Sequence, residues 1–592
     1  MRVADYIFER LSLEGVRRPF VVTGRGALFL DDAIAKRKDF EPVFVHHEQS
    51  ASFAAIASSE VNDVIGCAVV STGCASTNCI TGVLSAWQDG IPAVFISGQN
   101  SLSETTRYTG HPLRTYGQQE ADIVGLVEPI TKYAVMITSP DQIVYELEKA
   151  LYMAMEGRCG PVWLDVPLDI QNMRVQPDSV EKYIPPTKHT DSQEQNINYI
   201  SDALSKAERP VVLIGSGAKH SQCIEQLVTF IEQANIPLVF TSSGADIYGA
   251  SNDLSIGSFG SMGCSRAGAF AVQNADYVLV LGSRLSSITT GVDYCKFARD
   301  AKVVVVDIDK HEHTKTGISI ERIIESDLKC ILEGLISKQL PPASKGWVSR
   351  CLEWKEKFRS THKTDNDEGK IDIYDLADAL SSTMVDNAVF VCDSGFADVI
   401  LPTNIDFKLG QRCVHPVSQG AMGFALPAAL GIEVTTKRPV IVVVGDGSIM
   451  MNLQELQSIS DHQANIKIFV VNNNVYAIIR RRQKELFRKR TIGTDRSNGV
   501  NCPEFESVAK TFGLTYSLID SSEDLESKVN NVLNMDGPVL CEILGQENQQ
   551  YVEVAYAKTQ SKKFVRRPLE DQWPFLERET FIENMLIDPI DQ

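Results

Sequence analysis

Two short segments, Gly-Asp-Gly-Ser at 445–448 and Asn-Asn at 472–473, carry residue types that could bind a metal ion and a diphosphate. Each segment ends a run of apolar, β-branched residues, and a helical apolar pattern separates them. Because neighbouring strands of a parallel sheet end at one edge, we predict a strand–helix–strand unit that places Asp446 beside Asn473. Their oxygens are suitable Mg²⁺ ligands, and the backbone amides after Asp446 could face a diphosphate. A Gly-Asp-Gly turn alone is common, so the asparagine pair carries much of this interpretation.

Both segments resemble the cofactor motif of the thiamine diphosphate (ThDP) enzymes of the acetolactate synthase and pyruvate decarboxylase family. The resemblance implies that Mg²⁺ is bound by Asp446, Asn473 and the backbone carbonyl of Val475. The complete set of ThDP-binding residues that it implies is Thr72, Gly73, Asn78, Gly420, Met422, Gly445, Asp446, Gly447, Ser448, Asn473 and Val475.

The segment His46-His47-Glu48 follows an apolar run and precedes a stretch of small residues with helical spacing. Taken alone, the carboxylate could face a ligand or complement the N-terminal dipole of the helix. The resemblance implies a catalytic role for Glu48, since the family uses a glutamate to hydrogen-bond the aminopyrimidine ring and favour its imino tautomer. For His46 and His47 we expect structural roles.

Three further segments resemble active-site motifs of the same family. The stretch 71–78 resembles its glycine-rich turn at the pyrimidine end of the cofactor, and 118–125 resembles a loop at the active-site mouth that contributes Gln119. The stretch 420–427 matches the synthase pattern in which Met422 wedges between the two cofactor rings. A methionine can also be ordinary core filler, but the flanking match favours the wedge.

Several positions depart from the family patterns. Gln118 stands where synthases have a phenylalanine that touches pyruvate, and Phe396-Ala397 stands where they have a glutamine–histidine pair. His111 is single where decarboxylases carry two histidines, which favours carboligation over simple decarboxylation. We therefore assign His111 and Gln118 to the substrate region.

The basic run 480–484 lies shortly after the cofactor motif, and Arg482 aligns with a tryptophan that closes the acceptor pocket of synthases. Such a run is usually a solvated helix face, but arginines bind phosphates bidentately. This region and 568–571 resemble family members that make branched sugars on nucleotide carriers. We therefore expect Arg480 and Arg482 to bind a keto-sugar nucleotide acceptor.

Two other functions stay open. The first is an acetolactate synthase, in which a second 2-oxo acid is the acceptor. The second is a catalytically inactive binding or regulatory homologue. Damage at Glu48, Asp446 or Asn473 would indicate the inactive homologue, and all three residues are intact.

Length and composition limit the remaining possibilities. A chain of 592 residues is too long for one core. Its net charge of −19 excludes a generic nucleic-acid surface and a polybasic membrane footprint. Thirteen dispersed cysteines indicate reduced thiols. With no signal-peptide pattern and no apolar run of ~20 residues, we expect a soluble, cytoplasmic protein that acts on small molecules.

Alternating strand and helix patterns predict an α/β protein with three doubly wound parallel-sheet domains. We expect a pyrimidine-binding domain at 1–175, a central domain at 196–340, a diphosphate-binding domain at 371–547 and a tail at 548–592. Polar linkers are expected near 185–196 and 361–370. The family also implies a homodimer or homotetramer whose active sites lie at the subunit interface, with Glu48 and Asp446 of one site on different chains.

The central domain resembles synthase segments that surround a non-redox FAD. The candidate FAD contacts are Gly215, Gly217, Thr241, Arg284, Asp307 and Asp309. The domain has no G-x-G-x-x-G fingerprint, and family members also use it for other nucleotides or for none.

Overall fold

A computed structural model describes residues 1–187, 192–359, 369–559 and 562–590 of the chain. Three six-stranded sheets follow one another along the sequence, and all strand pairings within them are parallel. Their strands are apolar over most of their length because both faces of each sheet are covered by helices. The predicted α/β architecture of three doubly wound sheets is confirmed.

The first sheet has the strand order β2-β1-β3-β4-β6-β5. Its strands are β1 (Phe20–Val21), β2 (Val43–Phe44), β3 (Gly66–Val70), β4 (Ala93–Gln99), β5 (Tyr133–Met136) and β6 (Pro161–Pro167). The helices of this region are α1 (Val3–Leu13), α2 (Leu28–Ala35), α3 (Glu48–Asn62), α4 (Cys74–Asn78), α5 (Ile80–Asp89), α6 (Thr106–Thr109), α7 (Ile123–Val127), α8 (Ile143–Met155) and α9 (Leu168–Asn172).

The second sheet has the order β12-β11-β10-β7-β8-β9. Its strands are β7 (Pro210–Ile214), β8 (Leu238–Phe240), β9 (Ser255–Ser258), β10 (Tyr277–Leu281), β11 (Lys302–Asp307) and β12 (Arg322–Glu325). The surrounding helices are α10 (Glu194–Lys206), α11 (Gly217–His220), α12 (Ile224–Ala234), α13 (Arg266–Gln273), α14 (Ser287–Thr290), α15 (Leu328–Ser337) and α16 (Lys345–Lys357).

The third sheet has the order β14-β13-β15-β16-β18-β17. Its strands are β13 (Val389–Val391), β14 (Arg412–Val414), β15 (Val440–Gly445), β16 (Ile466–Asn472), β17 (Thr515–Ile519) and β18 (Val539–Leu544). Its helices are α17 (Ile373–Thr383), α18 (Gly395–Asn404), α19 (Ala425–Thr436), α20 (Glu455–Asp461), α21 (Ala477–Leu486), α22 (Phe505–Phe512) and α23 (Leu525–Leu533).

The last segment packs over the central domain. It contains the antiparallel hairpin of β19 (Tyr556–Lys558) and β20 (Phe564–Arg566), followed by α24 (Arg578–Glu583). The fully buried ring of Phe581 packs with Phe270, and the indole of Trp354 donates to the Asn584 Oδ1 at 2.8 Å. An aromatic contact and a hydrogen bond thus attach this segment to residues before the third sheet.

Each sheet has a central point at which its strand order reverses, between β1 and β3, between β7 and β10, and between β13 and β15. In the first and third sheets the last two strands at one edge are also exchanged in order. At such a central point the connections leave in opposite directions, so the carboxyl ends of the two strands flank a crevice in which open α/β sheets bind ligands. The fold therefore creates three candidate crevices, one in each sheet.

The linkers differ in part from the prediction. Residues 194–196, predicted as linker, form the first turn of α10, because Ile197, Ile200 and Leu204 follow at helical spacing and pack inwards. Of the predicted linker 361–370, only the last two residues belong to the described ranges, and the domain boundaries stay a prediction. In the described part of the chain, no helix is long and apolar enough to cross a bilayer.

Candidate functional site

Asp446 and Asn473 lie at the ends of the neighbouring strands β15 and β16, as the sequence predicts. Asp446 is buried, and its two oxygens accept hydrogen bonds of 2.7 Å from the backbone amides of Gly447 and Asn474. Burial raises the pKa of Asp446 to about 6. A nearby cation would offset this effect because it favours the ionised carboxylate.

The oxygen groups at this sheet edge fit a hard divalent cation. The side-chain oxygen of Asn473 accepts from the backbone amide of Val475 at 3.2 Å, which fixes the amide group close to that residue. Carboxylate, amide and backbone carbonyl oxygens are the donor types that Mg²⁺ and Ca²⁺ take. The donor set of Asp446, Asn473 and Val475 is therefore chemically suited to the ion.

The turn at 445–448 offers an open face to a ligand. A Cβ built on Gly445 would meet no atom within 4 Å, whereas one on Gly447 would collide with the Tyr476 ring at 1.8 Å. Ser448 is buried, and its hydroxyl donates to the Asp393 carboxylate at 2.8 Å. Gly447 and Ser448 thus pack against Tyr476 and Asp393, while Gly445 leaves room for a group such as a diphosphate.

Met422 lies in a loop between two glycines of left-handed backbone, Gly420 at φ 55° and Gly423 at φ 85°. The amide of Gly423 donates to Asp393 and lies 3.1 Å from the Ser448 hydroxyl oxygen. Gly420 has open space where a Cβ would stand. The methionine loop and the 445–448 turn are therefore joined directly.

Glu48 begins α3, and its Oε2 accepts a hydrogen bond of 2.9 Å from the Asn78 side chain. Within the described ranges, no group bonds to the other carboxylate oxygen. The His47 ring accepts from the amide of Gln49 and so caps the helix, which agrees with the structural role that we expect. One carboxylate oxygen of Glu48 is therefore oriented by Asn78, and the other is available to a ligand.

Within one chain, the start of α3 contacts the C-terminal domain. The amide of His46 donates to the Glu455 side chain at 3.1 Å. The side-chain amide of Asn452 donates both to Gln49 and to the backbone carbonyl of Gly423. Asn452 therefore connects the helix of Glu48 to the loop of Met422.

Gln119 lies against the turn that contains Thr72 and Gly73. Its backbone has φ 61°, an uncommon conformation for a residue other than glycine. A Cβ on Gly73 would stand 1.7 Å from the carbonyl oxygen of Gln119, so only glycine permits this contact. Thr72, Gln118 and Gln119 together line a small pocket at the crevice of the first sheet.

The residues assigned to the acceptor are arranged differently from the expectation. Arg480 pairs with Glu547 at 3.1 Å, and Arg482 pairs with the buried carboxylate of Glu553. Their charges are already compensated, which weakens the predicted role in binding a diphosphate. His111 is exposed and meets only the edge of a tyrosine ring among the described aromatic contacts.

A larger cavity of about 1300 Å³ lies at the crevice of the second sheet and extends to the two flanking domains. Of the six FAD candidates, the residues that line it are Gly217, Thr241, Arg284 and Asp307. Gly215 and Asp309 lie next to lining residues, and a Cβ on Gly215 would meet the Gly282 carbonyl at 2.6 Å, so packing explains this glycine. The volume is sufficient for a dinucleotide, since ligand pockets usually measure about 300–1000 Å³.

Four residues near these sites were not singled out by the sequence motifs: Arg25, Asn452, Glu455 and Asp393. Arg25 lies between two glycines in the turn that follows β1, and a polar residue in such a turn is the signal that could have revealed it. The others act through contacts with distant segments, for which no local pattern exists.

Family models match part or all of each of the three sheets. Residues 1–126 match the N-terminal TPP binding domain of thiamine pyrophosphate enzymes, residues 197–335 match their central domain, and residues 393–543 match their C-terminal TPP binding domain. Thiamine pyrophosphate is another name for ThDP.

Similar proteins extend over most of the chain. The acetolactate synthase large subunit of Cyanidium caldarium is 29% identical over 89% of this chain and 90% of its own length. The acetolactate synthase isozyme 3 large subunit of Escherichia coli K12 is 29% identical over 90% of this chain and 92% of its own length. The acetolactate synthase large subunit of Lactococcus lactis is 28% identical, covering 96% and 97%.

Proposed function

The chain belongs to the thiamine diphosphate enzymes of acetolactate synthase and pyruvate decarboxylase type, and we propose that it decarboxylates pyruvate and joins the remaining acyl group to a second 2-oxo acid. The observation that carries this proposal is the intact set of Glu48, Asp446 and Asn473, each of which follows the carboxyl end of a strand, with Asp446 at the crevice of the third sheet. An inactive homologue would have no reason to retain all three.

We assign each residue a separate task. Asp446, Asn473 and the Val475 carbonyl would hold Mg²⁺, and the amides after Asp446 would bind the diphosphate. Met422 would hold the two cofactor rings at an angle. Glu48 would hydrogen-bond the aminopyrimidine ring, supported by Asn78. Bound ThDP supplies an electron sink for the carbon–carbon bond that breaks.

In the overall reaction the bond between the carboxyl and keto carbons of one pyruvate breaks and CO₂ leaves. A new bond forms from the former keto carbon to the keto carbon of the acceptor, and the acceptor oxygen takes up one proton. The product is a 2-hydroxy-3-oxo acid, acetolactate when both substrates are pyruvate. A 2-oxo acid is the preferred acceptor because the relatives are acetolactate synthases and because Arg480 and Arg482 are already paired with carboxylates.

Three further assignments accompany this function. FAD is proposed for the cavity of the central domain, on the basis of its volume and the position of Arg284. A homodimer or homotetramer with shared sites is proposed from the family. A reducing cytoplasm is proposed because all thirteen cysteines are free thiols.

A reconstitution experiment tests the function. The purified protein is incubated with ThDP, Mg²⁺ and pyruvate, and CO₂, acetaldehyde and acetolactate are quantified with and without keto-sugar nucleotides. We expect CO₂ and acetolactate in equal amounts. Acetaldehyde as the main product would indicate a decarboxylase. A ligation product that forms only when the sugar nucleotide is present would indicate a keto-sugar nucleotide acceptor. The absence of CO₂ release would contradict the proposal. Flavin released by denaturation is measured in the same preparation.

A further inference from the structure

We propose that Arg25, together with Gln118, recognises the carboxylate of the acceptor substrate. The inference rests on the proposed function and adds to it a residue that determines which acceptor is used. It concerns a side chain that none of the cofactor motifs includes. The argument uses the position of Arg25, its charge, the rigidity of its surroundings and its connection to Glu48.

Arg25 lies at the crevice of the first sheet. It follows β1, and Thr72 follows β3, the two strands between which the strand order reverses. Arg25, Thr72 and Gln118 line the same pocket. Because the equivalent crevice of the third sheet contains Asp446, the fold itself directs Arg25 towards a ligand-binding edge.

The charge of Arg25 is uncompensated. Its guanidinium group donates to the neutral side-chain oxygen of Gln118, and among the described residues it forms no ion pair with a carboxylate. Glu104 also lines the pocket without pairing with it. This contrasts with Arg480 and Arg482, both of which are paired. In a chain of net charge −19, an exposed and unpaired arginine on a pocket wall is suited to an anionic ligand.

The backbone around Arg25 is fixed. The next residue, Gly26, donates its amide to the Ser71 hydroxyl at 3.0 Å, and a Cβ there would stand 1.8 Å from the Thr72 hydroxyl. The Asn100 side chain donates to the Gln118 carbonyl at 3.0 Å. Both parts of the recognition pair therefore project from anchored turns, which reduces the entropy lost on binding.

The pocket is connected to the catalytic carboxylate by a single turn. Thr72 forms part of its wall, and the same turn leads into α4, which ends at Asn78. Asn78 donates to Glu48 at 2.9 Å. A substrate bound between Arg25 and Thr72 thus lies on the same face of the domain as the cofactor-facing carboxylate.

Electrostatics assigns Arg25 to the acceptor rather than to the donor. The donor carboxylate loses its charge when CO₂ forms, so a cation bound to it would stabilise the reactant more than the transition state. The acceptor carboxylate keeps its charge throughout ligation. A cation that binds it lowers the energy of bound acceptor and transition state alike and selects charged over neutral acceptors.

A competition between two acceptors tests the inference. The holoenzyme receives pyruvate as donor with either 2-oxobutyrate or propanal, which has no carboxylate, and both ligation products are measured together with CO₂. Wild type is compared with R25A, R25K and the control R174A, an exposed arginine of the same domain that does not line the pocket. We expect R25A to lower the ratio of 2-oxobutyrate product to propanal product by about tenfold or more, since a charge-assisted hydrogen bond is lost.

R25K should retain part of the preference, and R174A should leave the ratio unchanged. A wild-type ratio in R25A, or an equal fall of both products and of CO₂, would overturn the inference while leaving the proposed function in place. The absence of CO₂ release from the wild-type holoenzyme would instead overturn the proposed function and this inference with it. Melting temperatures of all variants establish that each is folded.

Discussion

The carboxylate of Asp393 accepts a hydrogen bond from the Ser448 hydroxyl at 2.8 Å and a second from the Gly423 amide at 3.1 Å. One buried oxygen thereby joins the turn of Asp446 to the loop of Met422. The other oxygen of Asp393 is buried without a partner in the described ranges. Because Asp393 follows β13 at the crevice of the third sheet, it fixes the relative position of the two segments that we propose to bind the cofactor.

This arrangement predicts a pH-dependent contribution to stability. Burial raises the pKa of Asp393 from 3.8 to about 7. Between these values the folded protein holds a proton that the unfolded chain has released, so this group makes stability fall as pH rises from about 4 through 7. D393N keeps an accepting oxygen and removes the ionisation, so its melting temperature relative to wild type should be higher at pH 8 than at pH 5.

The control for this prediction is D386N, which changes an exposed carboxylate of the same domain. A difference between D393N and wild type that is equal at both pH values would contradict the prediction. D393A removes the acceptor altogether, and we expect it to raise the ThDP concentration needed for half-maximal CO₂ release.

Glu48 provides a second prediction. E48Q keeps an oxygen that can accept from Asn78 but loses the carboxylate, so ThDP should still bind while turnover falls by about 10²–10⁴-fold, the range for a group that assists proton transfer. CO₂ release measures the turnover, and quenching of protein fluorescence measures ThDP binding. E41Q, which changes an exposed carboxylate that pairs with Arg18, serves as the control. Turnover of E48Q close to that of wild type would show that Glu48 has no catalytic role.

Local patterns were sufficient for the three-sheet architecture and for the placement of Asp446 beside Asn473. Parallel strands buried on both faces appear as continuous apolar runs, and residues that end adjacent strands must meet. The links through Asp393 could not be predicted in this way, because its partners lie 30 and 55 residues away. The same applies to Arg482 and Glu553, which are 71 residues apart and whose ion pair compensates the charge that the sequence assigned to the acceptor.

The subunit arrangement can be tested by complementation. If Glu48 and Asp446 of one site belong to different chains, a heterodimer of E48Q and D446A has one site with both defects and one intact site. Equal mixing makes half of the molecules heterodimers, so activity should recover to about a quarter of wild type. Each variant alone should be nearly inactive. No recovery in heterodimers isolated by two affinity tags would show that each site is built within one chain. Asn452 would then join the two parts of that site, since it donates to Gln49 and to the Gly423 carbonyl of the same chain.

Arg481 fastens the C-terminal segment to α21, directly after the asparagine pair. Its guanidinium group lies 5.1 Å from the Tyr551 ring centre and 5.0 Å from that of Trp573, and it also pairs with the Glu553 carboxylate, which is 4% exposed. R481A should lower the free energy of unfolding by about 2 kcal/mol or more, because two cation–π contacts are lost and a buried carboxylate loses a partner. The control K484A removes an exposed charge of the same helix. We expect R481A to melt at a lower temperature than K484A and its C-terminal segment to be cleaved faster by trypsin. Equal melting and equal cleavage of the two variants would show that other contacts hold the segment.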